Sequence, residues 1–146
     1  MGLDIGSHRI GVAVADETGT IASPIAVVRR DRSDHRELQR LVHKWNIDRV
    51  IVGLPTGMSG REGPQAADVR AYATSLENRF APAIPIEFWD ERLTTIIAER
   101  SMIASGTRRA QRKERIDAIA AAVILQGWLD AGHHRRRRAS IDSTHS

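Results

Sequence analysis

Apolar positions open the chain in two short runs, Leu3 to Ile5 and Ile10 to Val14, separated by the turn-like Gly6-Ser7-His8-Arg9. Runs of that length around a glycine-led polar break predict two paired strands. Gly19 marks the next turn and Ile25 to Val28 predicts a third strand, so the opening reads as an antiparallel meander. From Arg36 to Trp45 the positions Leu38, Leu41, Val42 and Trp45 recur at helical spacing, and Arg49 to Val52 then predicts a strand that stops at Gly53. Pro55 to Gly63 contains four glycine or proline positions and predicts a loop at the carboxyl end of that strand, where loops commonly border active sites. A helix over about Pro64 to Asn78 leads to a strand over Ile84 to Trp89, which ends at Asp90-Glu91-Arg92. Thr94 or Thr95 caps a helix running to about Ser105, and Gly106 ends it. The last helix, about Ala110 to Ala131, turns Ile116, Ala120, Val123, Ile124 and Trp128 inward. Its alanines Ala120 to Ala122 let it approach a sheet closely. A meander followed by alternating helices and strands predicts a mixed sheet with helices packed on it.

Composition narrows the picture. At 146 residues the chain has the size of one domain, and no apolar run is long enough to cross a bilayer. The absence of cysteine excludes thiol nucleophiles, disulfides and cysteine-ligated metals. Met1 to Gly6 read as a strand and not as a charged leader, so a cytoplasmic location is expected. The net charge is +4, and nine of the 22 Lys and Arg residues fall at 108–115 and 135–138. Clusters of that kind favour a polyphosphate partner through counterion release. After Gly132 the apolar pattern fails, which divides the chain into a domain over 1–131 and a basic tail over 132–146 expected to be disordered.

Three acidic positions stand out against this pattern. Asp4 lies between Leu3 and Ile5, so strand alternation places it on the opposite face, where a carboxylate needs a partner or a cation. Asp90 and Glu91 end a later strand. Asp117 sits inside the apolar face of the last helix, beside Ile116, Ala120 and Ala121, where packing explains it poorly. Acids that converge from separate strands and a helix make an oxygen-rich site for Mg²⁺ or Mn²⁺, and such ions serve phosphodiester hydrolysis. No compact histidine zinc motif and no phosphate-binding P-loop occurs.

The segments Gly2-Leu3-Asp4-Ile5-Gly6-Ser7-His8-Arg9-Ile10-Gly11-Val12-Ala13-Val14, Val52-Gly53-Leu54-Pro55, Asp90-Glu91-Arg92-Leu93-Thr94-Thr95 and Asp117-Ala118-Ile119-Ala120-Ala121, in this order, resemble the bacterial YqgF/RuvX family over about residues 1 to 131. The resemblance implies a ribonuclease H-like α/β fold with a five-stranded mixed sheet, its first three strands antiparallel and helices on both sides. It implies a divalent-metal nuclease, using Mg²⁺ or Mn²⁺, that matures the 5′ end of precursor 16S rRNA on the pre-ribosomal small subunit. Asp4, Asp90, Glu91 and Asp117 match the family's acids and are expected to be both catalytic and metal-binding. Arg92, Thr94 and Thr95 match positions that shape the site or meet the substrate backbone. His8 stands where the family often has lysine, and with Arg9, Arg109 and Arg112 it is expected to hold flanking phosphates. A Holliday-junction resolvase acting on four-way DNA would use the same acids and predicts a two-fold dimer, whereas a cutter of linear RNA works as a monomer. A nucleic-acid-binding factor without catalysis is the third alternative.

Overall fold

The computed structural model describes residues 1–55, 62–90 and 109–144, with the side chains of all of these except 109–114 and 133–144. Five strands form one sheet: β1 (Gly2–Ile5), β2 (Arg9–Ala15), β3 (Ala22–Arg29), β4 (Val50–Leu54) and β5 (Ile86–Asp90). Three helices are described, α1 (Asp34–Lys44), α2 (Pro64–Glu77) and α3 (Arg109–Thr144). The strand order is β3-β2-β1-β4-β5. β1–β2 and β2–β3 pair antiparallel, while β1–β4 and β4–β5 pair parallel. The expected meander, the mixed sheet and the ribonuclease H-like order are therefore present.

The sheet is sandwiched because its strands are apolar on both sides. Successive strand residues point to opposite faces, and two separate cores result. Leu3, Ile10, Val12 and Val52 meet Leu38 of α1 and Val69 and Leu76 of α2 on one face. Ala13 and Ile51 meet Ala121, Ile124, Leu125 and Leu129 of α3 on the other. α3 can lie close to the sheet because small residues face one another: a Cβ on Gly2 would come 2.7 Å from the Ala121 carbonyl. Ala120 and Ile124 are buried as the spacing predicts, but Ile116, Val123 and Trp128 are only partly covered. Leu125 and Leu129 take the deeper places.

Several boundaries differ from the periodicity. β3 runs several residues longer than Ile25 to Val28, since an edge strand continues as long as its partner supplies hydrogen bonds and need not be apolar throughout. α3 continues past Gly132 to Thr144, where the loss of apolar spacing predicts a disordered tail. Arginine and alanine are strong helix formers and no proline interrupts them, so the helical backbone continues without the apolar spacing of the earlier turns. The helix predicted after Thr94 or Thr95, and most of the Pro55 to Gly63 loop, lie outside the described residues.

Candidate active site

The site is built where β1 ends beside β2. Alternation puts Leu3 and Ile5 into the core shared with α1 and α2, so Gly2 and Asp4 face α3. Asp4 is the register partner of Gly11 on β2. Gly11 has no side chain, and the backbone of Asp117 fills the space: a Cβ on Gly11 would lie 1.8 Å from the Asp117 carbonyl oxygen. Asp117 therefore stands one strand away from Asp4, in the opening that a glycine keeps clear. Glycine in a strand interior is the sequence signal of such an approach, although the acidic pattern alone does not single out Gly11.

Arg9 enters from the start of β2. Its neighbour Ile10 goes into the core, so Arg9 shares the α3 face with Gly11, and its Nε lies 3.3 Å from Asp117 Oδ2. Both side chains are partly exposed, at 33% and 25%, which leaves the pair open to solvent and to a ligand. The β1–β2 turn that carries His8 is closed by Gly6 N–H donating to the Arg9 carbonyl at 2.8 Å and Arg30 N–H donating to the His8 carbonyl at 2.9 Å. Arg30 adds a guanidinium bond to the Gly6 carbonyl. His8 itself is exposed at the rim.

Asp90 is placed at the same carboxyl end of the sheet but farther off. Leu3 is level with Val52, Val52 with Phe88, and Leu54 with Asp90. β4 thus separates Asp90 from β1, a backbone separation of about 10 Å at the usual strand spacing. Phe88 packs on the α1–α2 side and Trp89 on the α3 side. Trp89, like Glu87 two residues earlier, is therefore on the face that Asp4 shares, and Asp90 ends the strand exposed. Glu91, Arg92, Thr94 and Thr95 lie outside the described residues. Arg109 and Arg112 belong to the first turn of α3, upstream of Asp117 on the same helix, with their side chains outside the description. Among the described residues no group of three metal-ligating side chains is assembled. Two carboxylates beside a cleared backbone still offer hard oxygen donors, the chemistry that Mg²⁺ and Mn²⁺ accept.

Comparison with known proteins agrees with this architecture. The RuvX family model, described as Holliday junction resolvase, matches residues 1–131. A relative in Heliobacterium modesticaldum named "Putative pre-16S rRNA nuclease" is 42% identical over 92% of this chain and 90% of its own length. One of the same name in Paracoccus denitrificans is 47% identical over 88% of this chain and 82% of its own. Among solved structures, T. thermophilus RuvC in complex with a Holliday junction substrate superposes with a TM-score of 0.55 at 17% identity, over 90% of this chain and 94% of that one. At that identity the likeness is one of fold.

Proposed function

The chain belongs to the RuvX family, and from that membership we propose that it is a divalent-metal-dependent nuclease that matures the 5′ end of precursor 16S rRNA in the cytoplasm. The observation that carries the reading is the approach of Asp117 to Asp4 across Gly11. In this reading Asp4 and Asp117, with Asp90 or Glu91, hold Mg²⁺ or Mn²⁺. A bound ion of that kind supplies positive charge at the scissile phosphate and a lowered pKa for the attacking water.

The chain's own residues do the rest. The Asp4 carboxylate is held by a strand fixed on both sides, so its position does not depend on a loop. Arg9 balances Asp117 before substrate arrives and is near enough to take a substrate phosphate in its place. His8, Arg92, Thr94, Thr95, Arg109 and Arg112 meet flanking phosphates, which sets register and not base identity. Residues 1–131 form the nuclease domain and 132–146 a basic tail.

The test is cleavage of labelled 16S-precursor RNA beside a four-way DNA junction with Mn²⁺ or Mg²⁺, using the Asp4→Asn protein as control. RNA-selective cleavage lost in the variant is expected, while undiminished cleavage by the variant would sink the assigned site. The family's description favours one second reading, junction resolution, which requires paired symmetric cuts in the DNA by a dimer. Silence on both substrates by a correctly folded protein would leave a binding factor.

A further inference from the structure

On the side of the sheet away from α3, helix α1 carries Arg36, Arg40 and Lys44 at four-residue intervals, and Arg32 stands one interval upstream in the turn before the helix. All four are exposed. Four-residue spacing stacks side chains along one helix surface, opposite Leu38, Leu41 and Val42, which are buried. From Arg36 to Lys44 the cations form one line about 12 Å long at the helical rise.

Both ends of the line lead somewhere. Upstream, Arg29 is exposed at the end of the edge strand β3; as the register partner of Arg9, which reaches Asp117, it lies on the α3 face, so a strand passing from there to α1 rounds the β3 edge. Downstream, Trp45 is 43% exposed, with Lys44 Nζ 5.9 Å from its ring centroid. Three acids stand among these cations, each with a local partner. Asp31 accepts from Ser33, Asp34 pairs with His35 and Glu37 pairs with Arg40. Arg29, Arg32, Arg36 and Lys44 make no ion pair among the described residues, whereas Arg30, Arg49 and Arg70 each have a carboxylate partner.

We propose that this line is a second binding surface for RNA, outside the acidic site. It takes the phosphate backbone of the substrate strand as that strand leaves Arg9 and Arg29, and the Trp45 ring receives a base. Arg32, Arg36 and Lys44, which make no ion pair among the described residues, match a polyanion and gain from counterion release, while Arg40 between them is shared with Glu37. An exposed aromatic at the end of a basic track adds sequence-tolerant stacking. The identity of the ligand rests on the nuclease reading.

The experiment measures how binding of a labelled single-stranded RNA depends on salt, in the full-length Asp4→Asn protein with and without Arg32→Gln and Arg36→Gln. Each phosphate contact on a single strand contributes about 0.7 to the slope of log K against log salt, so the double variant should lose about 1.4 from its magnitude. Trp45→Ala should weaken binding by about fivefold or more. A matched pair, Arg49→Gln with Arg79→Gln, removes the same charge elsewhere and should keep the slope. An unchanged slope in the Arg32 and Arg36 variant, or an equal loss in the matched pair, overturns the proposal. Binding is read in a protein that does not cut, so a failure of nuclease activity in the unsubstituted protein would count against the proposed function and leave this result standing.

Discussion

Gly11 accepts no side chain where it stands. The nearest atom to a Cβ there is a backbone oxygen of Asp117 at 1.8 Å, and a backbone cannot rotate aside as a side chain would. Gly11→Ala must therefore lift α3 from the sheet or distort β2, at a cost of about 2–3 kcal/mol or more. Urea denaturation should show the lowered midpoint, and cleavage should fall with it because Asp117 moves with the helix backbone. A variant with the original midpoint and full activity would show that α3 does not need this contact. Arg9 belongs to the same scale: its guanidinium beside Asp117 balances one carboxylate of an acidic site with a cation from the adjoining strand.

Between elements, the polar seam from β3 to α2 complements the apolar core. Arg30, just past β3, donates to both carboxylate oxygens of Asp68 on α2 and lies 4.7 Å from the Tyr72 ring centroid. The Arg30 guanidinium, through those hydrogen bonds, holds the Asp68 carboxyl below its ordinary value of 3.8. The sign follows from proton uptake. With a folded pKa below the unfolded one, the unfolded chain protonates first as pH falls, so the pair stabilises the fold above pH 3.8 and the contribution is lost as pH drops through the lower folded value. Because Asp68 is 48% exposed, the amount is small, under about 1 kcal/mol. Asp68→Asn should flatten that part of the stability profile in acid-dependent unfolding, and an unaltered profile would show that the pair contributes nothing measurable. The same seam holds Arg30 against the Gly6 carbonyl, which ties α2 to the turn carrying His8.

At the scale of the whole molecule, burial against the sheet and helix length are separate matters. The last buried residue described on α3 is Leu129, although helical backbone continues to Thr144. Ending the chain after Gly132 should therefore leave the thermal midpoint by circular dichroism within error of the intact protein. It should also weaken RNA binding at low salt, since Arg135 to Arg138 are removed. A large drop in midpoint would mean that the tail packs against the domain.

The sequence by itself determined the alternation of strands and helices, the antiparallel opening and the face of β1 on which Asp4 lies, because each depends on periodicity within a few neighbouring residues. The family was legible too, since its motifs are contiguous stretches such as Gly2 to Val14. Only the tertiary structure decided that Asp117 rests on Gly11, that Arg9 pairs with it, and that Trp89 packs on the α3 side of the sheet. Those facts depend on strand register and on how closely α3 sits against the sheet, which involve residues far apart in the chain. The basic line on α1 was present in the four-residue spacing all along. Only the fold sets Arg29 beside Arg9 on the adjoining strand and leaves Arg32, Arg36 and Lys44 without an ion pair among the described residues.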